Sequence, residues 1–335
     1  MKPGGYSIAV VGASTLFGKQ VREALRDRHF PVREWRLYER AERLGIADDG
    51  EDGAIVGSVE QADLGGVDLV FACDPVAATL SRPAESVMID LTDSYGDRTD
   101  VPMIVPEVNP EEIDGYSSAG LLANPVAGAI ALAIVLKPIE DTARVRRVVV
   151  ASYEPASSAG NDGIEELAQQ SRELLGGYGA EDSVVFPRRV AFNLIPQVGD
   201  FLGAGKTRSE WQVESQTRRL LDLPDLPITV TGVQVPIFYG QGYVVNIETE
   251  DVFEATAARD VLRASPGIVL LDEAGPQSYP TPADALETDA VHLGRLRDDP
   301  TVPFGVNLWL TVDGTRKGSA VNAVQVAELL IRDHL

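Results

Sequence analysis

The chain has 335 residues and a formal net charge of −22 at pH 7, because 51 Asp and Glu residues oppose 29 Lys and Arg residues. This length allows two ordinary domains, and a hydrophobic content of 44% is typical of a globular protein. The acidic balance disfavours nucleic acids and anionic membranes as partners, because their phosphate groups would be repelled. The single cysteine, Cys73, excludes an intrachain disulfide framework and a Cys-rich metal site.

Neither a membrane span nor a targeting segment is expected. The longest apolar stretch, residues 120–136, contains Asn124 and Pro125, which disfavours a spanning helix. The opening residues MKPGGYSIAVVGAS lack the apolar run and the cleavage site of a signal peptide, so we expect a cytoplasmic protein. The acidic segment ADDGEDG at residues 47–53 is interpreted as a solvated loop, and no metal site is expected.

The first 125 residues alternate apolar strands with amphipathic helices. This pattern predicts an α/β domain with a Rossmann-type, doubly wound parallel sheet and right-handed crossovers. The segment GKQVREALRDRH is expected to form a helix that turns Val21 and Leu25 inward. The expected strands are, in chain order, YSIAVVGA, EWRLYE, DLVFAC, SVMIDLT, VPMIV and GLLA.

A glycine-containing loop, VVGASTLFGKQ, joins the first strand to the first helix, which is the place of a dinucleotide-binding turn. Gly12 permits a tight turn, and Gly18 permits close packing of the helix on the strand. Thr15 stands where a further glycine would let a pyrophosphate approach the backbone. Weak binding of NAD or NADP and a retained fold without nucleotide affinity therefore both stay open. The candidate cofactor contacts are Gly12, Ser14, Thr15, Leu16, Phe17 and Gly18.

Charged residues after the second strand bear on the choice of dinucleotide. Glu39 ends that strand about 20 residues beyond the loop, where an acid would bind the ribose of NAD. The neighbouring Arg40 and Arg43 would instead favour the 2′-phosphate of NADP. A mixed Arg/Glu surface without a ligand is the third interpretation, so the sequence does not choose between NAD and NADP.

The pattern changes after a helix expected at residues 126–137. Strands typical of a mixed or antiparallel sheet follow, with the helices DGIEELAQQSRELL and VFEATAARDVLRAS between them. The last helix, GSAVNAVQVAELLIRD, is expected to return to the first domain and to bury Val321, Val324, Ala327 and Leu330. The expected domains are residues 1–130 with a C-terminal helix at about 318–335, and residues 131–317. The expected strands of the second domain are RVRRVVVASYE, ITVTGVQVPIF, GYVVNIETE, AVHLGRLRD and GVNLWLTVDG.

Many segments together resemble the aspartate-semialdehyde dehydrogenase family, and the resemblance covers nearly the whole chain in family order. It implies an NAD(P)-binding Rossmann domain, an α+β mixed-sheet domain for substrate and dimerisation, and a homodimer. The segments that carry the resemblance are IAVVGAS, HFPVREWRLYE, DVPMIVPEVNPEEI, ANPVAGAIALAIVLKPI, ASYEPASSAG, FNLIPQV, LPDLPITVTGVQVPIF, VNIETE, PQSYPTPADA and NLWLTVDGTRKGSAVNAVQVAELL.

The resemblance also implies which side chains the family reaction needs. A cysteine thiolate adds to the aldehyde, hydride passes to NADP, and phosphate releases the acyl group. The family places this cysteine in an Asn-Pro-Asn-Cys corner at the start of a helix. Here the corner is Asn124-Pro125-Val126-Ala127, so a methyl group stands in place of the thiol.

The other family positions are also changed. Glu154 stands where the family has the glutamine that follows a tyrosine. Gln241 stands where the family has the histidine that follows a glycine, and Gln234 stands where it has the arginine before Val-Pro. The arginine before the VPEVN segment aligns with Gly96, although Arg98 is close in sequence, and the substrate lysine aligns with Gln212. The chain therefore resembles the usg-type paralogues of the family, which lack the catalytic cysteine. We expect a non-catalytic, dimeric binding or regulatory protein, either as a homodimer or as a heterodimer with an active family member.

Two enzymatic alternatives stay open. In the first, Glu154 acts as a general base with help from Tyr153 or Ser158. In the second, the chain is an oxidoreductase acting on a semialdehyde with NAD(P), and Cys73 is its nucleophile, although a cysteine after an apolar run is typically a small buried side chain. None of the three histidines, His29, His292 and His334, is expected to replace the missing base.

Overall fold

The computed structural model describes residues 2, 4–44, 56–179, 182–273, 275 and 277–335. The acidic segment at 47–53, predicted to be a solvated loop, lies outside the described residues. The chain divides into two compact units. The first unit comprises Met1–Pro125 and Ser319–Leu335, and the second comprises Val126–Gly318.

The first unit contains one six-stranded sheet with the order β3-β2-β1-β4-β5-β6. Every neighbouring pair is parallel. This is the strand order of the doubly wound dinucleotide-binding fold, so the predicted fold class is confirmed. The strands are β1 (Tyr6–Val11), β2 (Val32–Glu39), β3 (Val56–Ser58), β4 (Leu69–Ala72), β5 (Val87–Asp90) and β6 (Leu121–Ala123).

The second unit contains a mixed sheet with the order β10-β7-β11-β14-β13-β12, and a small two-stranded sheet, β8-β9. The pairs β10·β7 and β12·β13 are parallel, whereas the three central pairs are antiparallel. The predicted mixed sheet is thereby confirmed. The strands are β7 (Val145–Glu154), β8 (Phe201–Gly203), β9 (Lys206–Thr207), β10 (Ile228–Gln234), β11 (Gln241–Thr249), β12 (Ile268–Leu270), β13 (Val291–Asp298) and β14 (Gly305–Val312).

Helices complete both units. The α-helices are α1 (Leu16–Asp27), α2 (Ala127–Ala143), α3 (Gly160–Leu175), α4 (Arg208–Leu220), α5 (Ala255–Ala264) and α6 (Val321–Asp333). A π-helical turn spans Arg316–Ala320, and 3₁₀ turns span Ala41–Arg43, Val59–Gln61, Pro75–Thr79, Pro110–Ser118, Ala156–Ala159 and Pro282–Ala285. No helix within the described ranges is long and apolar enough to cross a membrane.

The core of the first unit is formed by the sheet together with α1 and α6. Val21 and Leu25 of α1 are buried, as their spacing predicted. The four positions predicted to face inward from the last helix are fully buried as well, namely Val321, Val324, Ala327 and Leu330. The C-terminal helix is thus part of the first unit's core.

Two predicted elements differ from the structure, and prolines are the reason in both. The expected strand VPMIV is reduced to one bridge between Met103 and Ala123, because Pro102 and Pro106 have no N–H to donate to a ladder. The helix expected to end at residue 137 continues through Pro138 to Ala143. The buried residues Ile139 and Ala143 extend its apolar face, and this packing outweighs the hydrogen bond lost at the proline.

Helix α4 covers the open edge of β10. Its side chains at intervals of four residues bind backbone groups at every second position of the strand: Glu210 accepts from the Gly232 N–H (2.9 Å), Glu214 accepts from the Val230 N–H (3.1 Å), and Arg218 donates to the Ile228 carbonyl (3.1 Å). An edge strand otherwise offers unpaired backbone groups to other chains. These backbone groups of β10 are therefore hydrogen-bonded within the unit, and the three bonds fix the position of α4 along the strand.

Candidate functional site

The start of α2, the place at which the family resemblance puts a nucleophile, is held by two neighbouring segments. Val126 precedes the helix without a side-chain cap, and its N–H donates to Gln216 Oε1 of α4 at 2.8 Å. Ala127 is the first helical residue and is half-buried. A Cβ atom on Gly318 would lie 2.6 Å from the Ala127 Cβ, so the backbone at 318 rests directly on the alanine methyl. The shape of the corner thus depends on Gln216 and on a glycine.

Glu154, at the end of β7, is the centre of a buried hydrogen-bond chain. Gln241 donates from Nε2 to Glu154 Oε2 at 2.7 Å, and the Tyr243 hydroxyl donates to Gln241 Oε1 at 2.9 Å. Only 4% of Glu154 and none of Tyr243 is exposed. A glutamine amide has one donating end and one accepting end, and in this chain both ends are occupied.

Gln234 joins the same cluster from β10. The register of β10 with β7 pairs Gln234 with Glu154, and Gln234 Nε2 donates to the Glu154 carbonyl at 2.8 Å. The Tyr243 hydroxyl lies against the first turn of α2, since a Cβ on Gly128 would be 3.1 Å from it. The structure therefore brings the four predicted positions, Ala127, Glu154, Gln234 and Gln241, into one region.

Burial controls the electrostatics of this cluster. It is the largest cause that raises the pKa of Glu154 from 4.5 to about 7, although hydrogen bonds from Ser152 and Gln241 act in the opposite direction. Burial, followed by the charge of Glu154, also raises the pKa of Tyr243 well above its ordinary value. A carboxyl group with a pKa near neutrality can carry or release a proton at physiological pH.

Other side chains named from the sequence do not join the Glu154 cluster. Tyr153 is adjacent to Glu154 on the strand and faces the opposite side of the sheet, where its ring centroid is 6.0 Å from that of Trp309. Ser158 is exposed and donates to the Pro155 carbonyl at 2.7 Å. Neither side chain is therefore placed to assist Glu154, because the carboxyl group is bonded by residues of β7 and β11 instead.

Gln212, Gly96 and Arg98, the remaining residues named from the family resemblance, have other surroundings. Gln212 is half-buried on α4, one turn before Gln216. In the first unit, Gly96 lies in an irregular segment, and Arg98 forms an ion pair with Asp100 through Nε and Oδ1 at 2.9 Å.

Two residues of the site, Gln216 and Tyr243, were not predicted from the sequence. The available signals were the one-turn spacing of Gln216 from Gln212 and the two-residue spacing of Tyr243 from Gln241, which puts both side chains on one face of a strand.

Cys73 directly follows β4 and belongs to the core of the first unit. Burial is the largest cause that raises the pKa of its thiol, and the charges of Asp90, Glu39 and Asp74 add to the effect. A thiol in such surroundings stays protonated and is a poor nucleophile.

The three histidines lie on different elements. His29 lies in the turn after α1 with a positive φ of 53°, and His334 lies 3.4 Å from Asp114 at the end of α6. His292 is buried in β13, where Nε2 is 3.1 Å from the Thr288 hydroxyl, and burial lowers its pKa. Among the residues with described positions, no group of three or more His, Cys, Asp or Glu could hold a metal ion.

The glycine turn of the first unit has the geometry expected for a dinucleotide-binding loop. Gly12 adopts a φ of +85°, and a Cβ on Gly18 would lie 2.1 Å from the Gly12 carbonyl oxygen. Thr15 caps α1, because its Oγ1 accepts from the Gly18 N–H at 3.0 Å and donates to the Gly12 carbonyl at 2.7 Å. Leu16 and Phe17 begin the helix, whose first turn contains no acidic residue. These residues fit an anionic pyrophosphate at the helix N-terminus.

Glu39 is turned inward, away from the role expected of an acid after β2. Its Oε2 accepts from the Ser14 N–H at 2.9 Å and from the Ser14 hydroxyl, and its Oε1 accepts from the Arg40 N–H at 3.0 Å. Only 1% of the residue is exposed. Both carboxylate oxygens therefore stabilise the loop itself.

The two arginines after β2 are paired with Asp74, which follows β4. Arg40 binds Asp74 with two nitrogens, Nε at 2.8 Å from Oδ2 and an Nη at 2.6 Å from Oδ1, and Arg43 lies 3.6 Å from Oδ2. Asp74 Oδ1 also accepts from the Val76 N–H at 2.9 Å. Burial acts to raise the pKa of Asp74, but these hydrogen bonds and the two positive charges outweigh it and hold the pKa below its ordinary value.

Comparison with known proteins identifies relatives along the whole chain. Two family models match, "Semialdehyde dehydrogenase, NAD binding domain" over residues 7–116 and "Semialdehyde dehydrogenase, dimerisation domain" over residues 136–317. Aspartate-semialdehyde dehydrogenase 2 of Vibrio cholerae is 36% identical over 337 residues, 98% of each chain. Aspartate-semialdehyde dehydrogenase of Aquifex aeolicus is 34% identical over 338 residues, 99% of each chain. The crystal structure of the Vibrio cholerae enzyme II complexed with ASA has a TM-score of 0.94 at 35% identity, covering 99% of this chain and 100% of that one.

The raised pKa of Glu154 predicts a specific pH dependence of stability. In the folded chain Glu154 keeps its proton up to about pH 7. In the unfolded chain, where the glutamate has its ordinary pKa of 4.5, the proton is released at a lower pH. The resulting stabilisation is complete below pH 4.5 and is lost as the pH rises through about 7. The two pKa values correspond to a loss of about 3 kcal/mol in the free energy of unfolding.

Glu154→Gln removes the titrating group and retains a side chain of the same shape. Denaturant unfolding of both proteins at several pH values should show the variant gaining stability relative to the parent, by about 3 kcal/mol, between pH 4.5 and 8. Glu165→Gln, at an exposed position on α3, changes the net charge equally and serves as the control. Parallel pH profiles for the parent and Glu154→Gln would contradict the assignment of a raised pKa.

Proposed function

Because this chain belongs to the aspartate-semialdehyde dehydrogenase family, we propose that it is a non-catalytic member that retains dinucleotide binding and acts as a dimeric binding or regulatory protein. The observation that carries this proposal is Ala127 at the first position of α2. The resemblance to the family places the nucleophilic thiol there, at a helix N-terminus that would stabilise a thiolate. A methyl group cannot form the thiohemiacetal from which hydride is transferred.

The groups around the corner support the same conclusion. Gln241 stands where the family has its histidine, and an amide does not accept a proton in this pH range. Its two polar ends are already bonded to Glu154 and Tyr243. Loss of a nucleophile and a base that act together typically lowers the rate by about a million-fold.

Binding of a dianionic substrate is weakened as well, independently of the missing nucleophile and base, because cationic side chains are lost. Gln234 and Gln212 are neutral where the family has an arginine and a lysine, and Gly96 replaces a further arginine. Each charge-assisted hydrogen bond contributes roughly 1.5–3 kcal/mol, so three losses would remove several kcal/mol of binding even if they do not add fully. Glu154 adds a carboxyl group in place of an amide, which disfavours an anion further.

The glycine turn supports a retained dinucleotide site. In the family the bound dinucleotide supplies hydride transfer. In this chain, Gly12 and residues 15–18 would hold it through the turn and the N-terminus of α1, whereas the N–H and the hydroxyl of Ser14 already donate to Glu39. Residues 1–130 with the C-terminal helix at about 318–335 are assigned to this role.

Residues 131–317 are assigned to dimerisation, on the basis of the matching family model at 136–317. A homodimer is the proposed state, and a heterodimer with an active family member is a further proposal that would make the chain a regulatory subunit. Co-expression of differently tagged chains, followed by native mass spectrometry, distinguishes the two states. Exclusive homodimers would rule out the regulatory-subunit role.

One observation favours a second candidate function. The pKa of Glu154, raised to about 7, is suited to a general base, and the carboxyl group is adjacent to the first turn of α2 through Gln241 and Tyr243. A different activity in the same region would then depend on this carboxyl group. If Glu154→Gln leaves every detected activity unchanged, this candidate is excluded.

The proposal predicts no turnover in the family reaction. Purified protein with aspartate semialdehyde, phosphate and NADP should form no NADPH above the background rate, because no thiol is present at the start of α2. A relative with the Asn-Pro-Asn-Cys corner provides the positive control under the same conditions. Saturable NADPH formation by the parent chain would contradict the proposal.

A thiol introduced by Ala127→Cys should react rapidly, because the helix N-terminus lowers the pKa of a cysteine at its first position. Alkylation with iodoacetamide between pH 6 and 9, followed by intact mass spectrometry, should show one fast modification in the variant and none in the parent. Cys73 provides a buried reference thiol within the same molecule. The variant should remain at least a thousand-fold below an active relative in NADPH formation, because the base and the cations are still missing. Equal reactivity of the introduced thiol and Cys73 would show that the corner no longer activates a nucleophile.

A further inference from the structure

Asp74 occupies an unusual place for an acidic side chain, directly beside the glycine turn. A Cβ on Gly12 would lie 2.8 Å from the Asp74 Cβ, so the two residues are in contact across the ends of β1 and β4. Only 5% of Asp74 is exposed. Dinucleotides bind outside the carboxyl ends of such strands, at the turn that Gly12 forms. A buried carboxylate is therefore built into the wall of the dinucleotide region.

The arginines that would attract a 2′-phosphate are neutralised by carboxylates. Arg40 forms its two-nitrogen contact with Asp74, and Arg43 lies 3.6 Å from Asp74 and 4.0 Å from Glu39. The formal charges of the four groups are two positive and two negative, so they sum to zero. A phosphate monoester carries about −1.5 to −2 charges at pH 7 and gains little from a neutral cluster.

A 2′-phosphate would also have to break the existing pairs. If Arg40 turned to bind the phosphate, Asp74 would stay buried beside the Gly12 turn without its main partner, and an unpaired buried charge is strongly unfavourable. The phosphate and the carboxylate would repel each other at short range.

The ribose of NAD has no such conflict, but Glu39 is not available to bind it, because none of its side chain is exposed, whereas 6% of the Asp74 side chain is. Both oxygens of Glu39 accept hydrogen bonds from Ser14 and Arg40 within the loop. Asp74 Oδ2 accepts from Arg40 Nε at 2.8 Å, whereas Oδ1 also accepts from the Val76 N–H. A carboxylate has about four acceptor positions, so Oδ2 has the capacity for one more donor.

We propose that Asp74 determines the dinucleotide specificity of this chain, an inference that rests on the proposed dinucleotide binding. Asp74 accepts a hydrogen bond from a ribose hydroxyl of NAD, and it disfavours NADP by neutralising Arg40 and by repelling the 2′-phosphate. The chain thus binds NAD in preference to NADP, although its family relatives and its two arginines suggest the reverse.

Isothermal titration calorimetry of the full chain with NAD⁺ and NADP⁺ tests this assignment. The parent should bind NAD⁺ more tightly than NADP⁺. Asp74→Asn removes the negative charge and retains a side-chain oxygen that can still accept from the Val76 N–H. It should shift the affinity ratio toward NADP⁺ by about tenfold or more, the effect expected for one charge-assisted contact.

Glu328→Gln is the matched control, because Glu328 forms a comparable two-contact pair with Arg28 (2.9 and 2.7 Å) between α6 and the end of α1. It removes the same formal charge and should leave the affinity ratio unchanged. Tighter binding of NADP⁺ by the parent, or equal shifts in Asp74→Asn and Glu328→Gln, would overturn the role of Asp74 and leave dinucleotide binding intact. No binding of either dinucleotide to the parent or to Asp74→Asn would overturn both the proposed dinucleotide binding and this inference.

Discussion

The hydrogen-bond chain from Glu154 through Gln241 to Tyr243 is the interaction on which the buried polar cluster beside the start of α2 depends. Each of these side chains is almost completely buried, so every donor and acceptor must find a partner inside the protein. Gln241 meets this requirement at both ends of its amide, and Gln234 adds a bond to the Glu154 backbone. The glutamate and the two glutamines therefore form a set that is satisfied without any ligand or cation. This explains how the region stays folded around a buried carboxyl group.

The same physical arrangement recurs at the carboxyl edge of the first unit's sheet. Glu39 is bonded to Ser14, and Asp74 is bonded to Arg40, so the charged groups beside the glycine turn are paired with each other. A ligand that arrives there competes with contacts inside the protein. Its affinity depends on what those contacts leave free, and not on the residue types alone. An arginine in a dinucleotide fold is thus a sign of a 2′-phosphate only when its guanidinium is not already held by an acid.

Much of the fold could be predicted because its signals are local. Apolar runs at regular intervals indicate the parallel strands, and the three-residue spacing of Val321, Val324, Ala327 and Leu330 indicates the buried face of α6. Predictions were wrong where two local signals competed. Pro102 and Pro106 prevent the apolar run VPMIV from forming a strand, whereas Pro138 does not end α2, because Ile139 and Ala143 continue its packed face.

The sequence by itself determined the family, the doubly wound fold class and the presence of an alanine, Ala127, at the corner before α2, because each of these depends on residue type and spacing along the chain. Only the tertiary structure decided which polar groups are free to act. Glu39, Arg40 and Asp74 have unremarkable side chains when read in order. Their roles follow from contacts with distant residues, because Glu39 binds Ser14, 25 residues away, and Arg40 binds Asp74, 34 residues away. Gln216 likewise reaches the start of α2 across 90 residues. Hydrogen bonding and charge pairing act over a few ångströms in space, and the distance between residues in the sequence does not reveal them.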